Sequence, residues 1–169
     1  MTLPVRYTEI DTPLGTLQIT ATAAGLVGIA FEGDRYAPAR TDAWIRDPAF
    51  PVLREAAAQL VAYFAGRRSR FELPQAPAGT PFQRAVWTAI ATVPAGGTIS
   101  YAELARRAGC PGSARAAGAA TGRNPLAIVV PCHRIVGSDG SLTGYAGGLE
   151  RKRALLAHER AFARLASAA

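Results

Sequence analysis

The stretch PQAPAGTP, Pro74–Pro81, constrains the fold of this chain more than any other segment. Proline fixes φ and removes a backbone donor, so a run with three prolines and a glycine continues neither a helix nor the interior of a sheet. The 169 residues therefore divide here, into an α/β domain over 1–75, a linker over 76–80 and a mostly α-helical domain over 81–169. In the first part, GTLQITATAAGLVGIAFE (residues 15–32) reads as two strands around an Ala-Ala-Gly turn. Leu53, Ala56, Ala57, Leu60, Val61 and Phe64 recur at helical spacing from Pro51 to Phe64, with Gly66 as the stop. A short strand is expected over Arg70–Leu73. No internal repeat is visible.

The same division separates the charge. Residues 1–75 carry 8 Arg against 8 Asp and Glu, whereas residues 76–169 carry 10 Arg and Lys152 against 4 acids, so the whole net charge of +7 lies in the second part. Such asymmetry suggests a polyanion as partner, although a solvated basic surface has the same composition. No apolar run approaches the roughly 18–20 residues of a membrane span. The start MTLPVRYTEID lacks the basic and apolar regions of a secretory signal. Two cysteines do not make a disulfide framework. Together these features predict a cytoplasmic protein with no membrane partner.

The second part is heavily punctuated. Thr80-Pro81-Phe82-Gln83 combines a cap, a proline at the first helical position and a capping-box glutamine, predicting a helix to about Thr92 with Phe82, Val86, Ile90 and Val93 as its buried stripe. Ser100-Tyr101-Ala102-Glu103 reads as a second capping box, opening a short helix that ends at Gly109. Cys110-Pro111-Gly112 then turns the chain, and Ser113 caps a third helix to about Gly122. Two short helices around a tight glycine turn have the shape of a helix-turn-helix, though the turn also suits any corner between helices. The third helix, SARAAGAATG, has Arg115 as its only long side chain, which is poor for reading a major groove. Its small residues would let a backbone approach a narrow minor groove, with Arg115 entering the stack, or would let it pack closely on a neighbouring helix.

Chemistry concentrates in VVPCHRIVGSDGSLTGYAGG, Val129–Gly148. An apolar, strand-like run at Ile128–Val130 leads into Pro131, Cys132 and His133. Neighbours on a strand face opposite ways, so cooperation between Cys132 and His133 requires a bend or a bridging water. The thiolate is the reactive form of cysteine, and an imidazole oriented by a third group can activate it. Glu159, on the amphipathic segment Arg153–Glu159, is the carboxylate available. The pair could equally be an inert buried thiol beside a satisfied histidine. A cysteine protease would need an oxyanion hole and cleft that the sequence does not show. A zinc site would need Cys110, Cys132, His133 and His158, whose spacing matches no common pattern.

The segment Pro131-Cys132-His133-Arg134-Ile135-Val136, with Asn124-Pro125 before it and Gly144-Tyr145-Ala146-Gly147-Gly148 after it, closely resembles the O6-alkylguanine-DNA alkyltransferases. The likeness runs from about Thr80 to Glu159 and includes Phe82-Gln83, Val86-Trp87, Ile99-Ser100-Tyr101, Ala114-Arg115-Ala116 and Leu155-Leu156-Ala157-His158-Glu159. The first 75 residues are compatible with that family's ribonuclease-H-like domain, a sheet plus a helix, without a diagnostic motif.

The resemblance implies a DNA repair protein that transfers an alkyl group from O6-alkylguanine, and from O4-alkylthymine, in double-stranded DNA to Cys132, once per molecule and without a cofactor. It casts Cys132 as acceptor, His133 as water-bridged base, Glu159 as the group polarising His133, and Asn124 as a hinge. Tyr101 would rotate the 3′ phosphate and Arg115 replace the extruded base, with Ser100, Ala114, Ala116 and Arg123 also on DNA. Pro131, Arg134, Tyr145, Ala146 and Gly147 would line the base pocket. The family resemblance implies a monomer, binding alone or cooperatively. Some relatives carry an N-terminal zinc site, and residues 1–75 contain no Cys or His to form one. Ala146 stands where serine is frequent, removing a hydroxyl from the O6 position. The rival reading is a non-catalytic helix-turn-helix regulator or a lesion-flagging protein.

Overall fold

The computed structural model describes residues 2–168, with side chains to residue 165. The chain forms two compact units, one of residues 1–78 with 125–127, the other of residues 79–124 with 128–169.

The first unit is a four-stranded sheet and one helix. Strands β1 (Arg6–Thr12), β2 (Gly15–Thr22) and β3 (Gly25–Phe31) form an antiparallel meander, and β4 (Ile45–Arg46) adds in parallel beside β1. The spatial order is β3-β2-β1-β4. The Arg6 guanidinium meets Asp47 at 2.5 Å and the Asp47 N–H donates to the Tyr7 carbonyl, which holds the short β4 in register. Helix α1 (Pro51–Phe64) lies against the sheet. Leu17, Ile19 and Phe31 from the strands and Leu53, Leu60 and Tyr63 from the helix are fully buried. Each such side chain contributes about 1.5–3 kcal/mol.

The expected strand at Arg70–Leu73 does not form; the segment is irregular. The buried Gln59 amide takes the place of a neighbouring strand, donating to the Glu72 carbonyl at 3.1 Å and accepting from the Glu72 N–H at 3.0 Å. Pairing resumes one step later, inside the proline-rich stretch. Leu26 N–H donates to Pro74 O and Ala76 N–H to Leu26 O, each at 2.8 Å. On β3, Ile29 pairs likewise with Pro125 and Ala127, which explains why that tripeptide belongs to the first unit.

The second unit carries helices α2 (Pro81–Ile90), α3 (Tyr101–Arg107), α4 (Ala114–Gly122) and α5 (Leu149–Ala168), with a parallel pair of two-residue strands, β5 (Ile99–Ser100) and β6 (Ile135–Val136). The capping box of α2 is complete, Thr80 and Gln83 exchanging bonds of 3.0 and 3.1 Å. Its buried face differs from the expected stripe: Val86, Ile90 and Val93 are inside, but Phe82 is 37% exposed while Trp87 and Ala89 are buried. Trp87 is drawn inward because its Nε1–H finds the Ala120 carbonyl of α4 at 2.8 Å.

The second capping box is only half made. Ser100 accepts from the Glu103 N–H, while the Glu103 carboxylate turns away to Arg106 and Arg107. Ser113 stands at the start of α4 with φ −101° and ψ 39°, and its side chain makes no capping bond. Helices α2, α3 and α4 pack on one another. Gly118 of α4 faces the Tyr101 ring of α3, where an added Cβ would make an ordinary contact at 3.5 Å.

Gly25 provides a test of the first unit. Its φ of +139° is reserved for glycine, and an added Cβ would lie 2.7 Å from the Pro74 carbonyl oxygen, a backbone atom that cannot swing aside. Gly25→Ala is expected to lower stability by about 2 kcal/mol or more. Urea denaturation at pH 7 checks this; a loss below half of that would contradict the packing described.

Candidate active site

The site is assembled from four short pieces of the second unit. The β5–β6 pairing, Ile99 with Ile135 and Ser100 with Val136, sets the first residue of α3 beside the segment that follows the cysteine. Ile128–Val130 is not a strand. The pairing of Pro125–Ala127 with Ile29 commits the preceding residues, so the chain must turn, and Ile128 adopts a left-handed φ of 71°. A β-branched residue in that region is strained by about 1–3 kcal/mol. Asn124 fixes the exit from this turn, its Nδ2 donating to the Val130 carbonyl at 2.8 Å. Pro131 then leads into a single 3₁₀ turn, Cys132–Arg134. This is the bend that adjacent Cys132 and His133 needed.

Behind the turn stands α5, which brings Glu159 into a fully buried position. Its Oε1 lies 2.7 Å from His133 Nε2 and accepts from Arg134 Nη2 at 2.8 Å, while Oε2 accepts from Arg134 Nε at 2.8 Å. Arg134 Nη1 continues to the Val93 carbonyl at 2.5 Å. Burial opposes ionisation of Glu159, but the bonds from His133 and Arg134 outweigh it and hold the carboxyl well below its usual range. Glu159 is therefore an anion, and His133 Nε2 must carry the hydrogen that meets it. Burial also lowers the His133 pKa against the pull of Glu159, so the ring is neutral. With Nε2 as donor, Nδ1 is left as an acceptor; it is buried and has no hydrogen-bond partner among the described residues. Cys132, 8% exposed, precedes it in the same turn.

The Arg134 side chain is committed to Glu159 and the Val93 carbonyl, so only its backbone is available to a pocket. On the other side of the site, Tyr101 Oη donates to the Thr143 carbonyl at 2.9 Å. Burial raises the Tyr101 pKa, and a thiolate at Cys132 raises it further, so the phenol keeps its proton. Tyr145, Ala146 and Gly147 lie half-buried on the loop after Thr143, and Pro131 is buried. Arg115, Ala116 and Arg123 are exposed on and just after α4, with Ala114 and Ser100 half-buried.

One residue of the site escaped the sequence reading. Lys152 is fully buried, and its ammonium donates to the carbonyls of Ile135 at 2.6 Å, Thr143 at 3.1 Å and Gly144 at 3.2 Å. It ties the loop before Tyr145 to β6 without a carboxylate partner. Desolvation pushes its pKa down to about 8, partly offset by attraction to a Cys132 thiolate. The available signal was its place on α5, at helical spacing with the buried Leu155, Leu156 and Glu159. Among the described residues no group of three or more His, Cys, Asp or Glu side chains is placed to hold a metal ion. Among them, too, no helix is long and apolar enough to cross a membrane.

A buried thiol next in sequence to an imidazole that is oriented by an anionic carboxylate is the set of groups that nucleophilic cysteine chemistry requires. Its particular kind follows from comparison with known proteins. Residues 5–77 match the family model for the ribonuclease-like domain of 6-O-methylguanine DNA methyltransferase, and residues 81–161 match the model for its DNA binding domain. The methylated-DNA–protein-cysteine methyltransferase of Mycolicibacterium paratuberculosis is 46% identical over 156 residues, covering 92% of this chain and 93% of the relative. The crystal structure of Mycobacterium tuberculosis O6-methylguanine methyltransferase aligns with TM-score 0.85 at 46% identity, covering 93% of both chains. Mycobacterium tuberculosis OGT in complex with DNA aligns equally well, at 44% identity over 93% of this chain and 94% of that one. The chain belongs to the 6-O-methylguanine DNA methyltransferase family.

The carboxylate cluster makes a prediction with a definite sign. Glu159 has its pKa lowered in the fold, so its contribution is complete above the ordinary carboxylate range and drains away as pH falls through it. His133 acts in the same direction from higher pH, because the unfolded ring takes a proton near 6.5 and the buried ring does not. Stability is thus expected to decline below about pH 6.5 and more steeply in the carboxylate range. Glu159→Gln should destabilise by about 3 kcal/mol at pH 7, since it leaves Arg134 buried without its anion. It should also flatten the acid limb of the stability curve; an unchanged limb would contradict the assignment.

Proposed function

We propose that this family member repairs O6-alkylguanine in double-stranded DNA by moving the alkyl group to the sulfur of Cys132, once and irreversibly. The observation that carries the reading is the buried His133, tied at Nε2 to Glu159 and open at Nδ1, in the same 3₁₀ turn as Cys132. In our reading, Nδ1 takes the thiol proton through one water. The thiolate attacks the alkyl carbon in line, a C–S bond forms, the C–O bond breaks, and its electron pair leaves with the guanine. Tyr101, whose raised pKa keeps its phenol protonated, exchanges its bond to Thr143 for one to the departing base and supplies the proton. The thioether product has no leaving route, so each molecule turns over once.

A base within the stack cannot be reached, and extruding it costs a few kcal/mol. We take α3 and α4 as a helix-turn-helix that enters the minor groove, with Arg115 filling the vacated position and Tyr101 rotating the 3′ phosphate. Ser100, Ala114, Ala116 and Arg123 would lie against DNA. The exposure of Arg115 and the small-residue face of α4 support this placement. The Asn124–Val130 bond suits a hinge, and the loop of Tyr145, Ala146 and Gly147, pinned through Lys152, suits a cover over the flipped base.

Incubation with a duplex bearing one O6-methylguanine should add the mass of one methylene to the intact protein, and peptide mapping should place it on Cys132. Cys132→Ala should bind the duplex without gaining mass. Methylation elsewhere, or none, would refute the proposal. Arg115→Ala should slow transfer from the duplex at least tenfold more than transfer from the free base; equal losses would contradict its role in extrusion.

A further inference from the structure

The basic end of α3 is not free to hold a phosphate. Arg106, 66% exposed, forks onto the Glu103 carboxylate with Nε at 2.8 Å and Nη2 at 2.7 Å. Arg107 donates its Nε to the same carboxylate at 2.9 Å and its Nη1 to Thr92 Oγ1 at 3.3 Å. That second bond lays Arg107 into a groove of about 530 Å³ between α2 and α3, lined also by Ala85, Thr88, Ala89 and Ala108. One carboxylate thus engages two arginines of a unit whose net positive charge is its most marked feature. Glu103 already has a backbone role, receiving Ser100's cap through its own N–H, and that role needs no carboxylate. The two arginine bonds hold the Glu103 carboxyl near a pKa of about 2, so it is charged at every working pH.

We infer that Glu103 limits the sequence-independent grip of this protein on DNA, by holding Arg106 and Arg107 away from phosphates. The inference rests on α3 being the leading helix of the DNA-facing pair, since in such pairs the first helix crosses the phosphate backbone. A repair protein that acts once must leave undamaged duplex quickly. Phosphate contacts lengthen every stop on undamaged DNA and carry no information about the lesion. Glu103 lets α3 carry Arg106 and Arg107 without adding two such contacts.

The test is Glu103→Gln, which preserves size while removing the charge and one of the two acceptor oxygens that hold the arginines. Binding to an undamaged duplex is measured across a salt series, with the wild-type protein in parallel. The slope of log K against log salt should steepen by about 1 to 2, at about 0.9 for each guanidinium released to a phosphate. Transfer from a lesion duplex should become more sensitive to excess undamaged competitor. The triple variant Glu103→Gln, Arg106→Gln, Arg107→Gln should return the slope to the wild-type value. If Glu103 merely stabilised α3, Glu103→Gln would bind more weakly, and that outcome or an unchanged slope overturns the inference. A wild-type protein with no salt-dependent binding would instead overturn the DNA-facing reading of α3 beneath it.

Discussion

One buried carboxylate holds the second unit's chemistry together. Glu159 has no exposure to solvent and satisfies both of its oxygens with His133 and Arg134. An ion in that position would be ruinous alone, since desolvating it costs several kcal/mol. The bidentate arginine removes that penalty and leaves the carboxylate free to orient an imidazole. Three consecutive residues of one 3₁₀ turn thereby occupy distinct places: Cys132 carries the thiol, His133 meets Glu159 through Nε2, and Arg134 keeps Glu159 charged. The Arg134 bond to Val93 O then anchors the turn to the segment that follows α2.

The surroundings serve that turn. Ile128 carries backbone strain because the residues before it are committed to pairing with β3 and those after it must reach Pro131. Asn124 stabilises the strained path through Val130 O. Lys152 acts across the site, drawing three carbonyls to one ammonium and fixing the loop that carries Tyr145. It is a costly arrangement, since no carboxylate among the described residues pairs with it. The Thr143 carbonyl accepts from both Lys152 and Tyr101, so loop, lysine and phenol form one linked set.

Much of this was legible in the sequence where a local rule governs. The helix at Pro51–Phe64, the hairpin of β2 and β3 and the Thr80 capping box follow from spacing and turn residues. Glu159 could be chosen as a partner for His133 from its place on an amphipathic segment, and in the structure the two side chains meet at 2.7 Å. What failed depended on distant partners. Arg70–Leu73 has strand composition, but a glutamine side chain occupies its edge. Ile128–Val130 has the apolar content of a strand, but a tertiary pairing forces a turn. Trp87 displaced Phe82 from the buried face because an acceptor on α4 awaited its N–H. The Glu103 box was half-lost because two arginines one turn on offered stronger partners. Lys152 was legible only as a position on the buried face of α5, because its partners are backbone carbonyls that no residue identity announces.

The central claim is that Glu159 holds His133 as a neutral ring with its hydrogen on Nε2, leaving Nδ1 to accept the Cys132 proton. Imidazole 15N chemical shifts of His133 in the unalkylated protein at pH 7 test this most directly. The account predicts one pyrrole-type Nε2 and one pyridine-type Nδ1. Two protonated nitrogens, or the hydrogen on Nδ1, would contradict it.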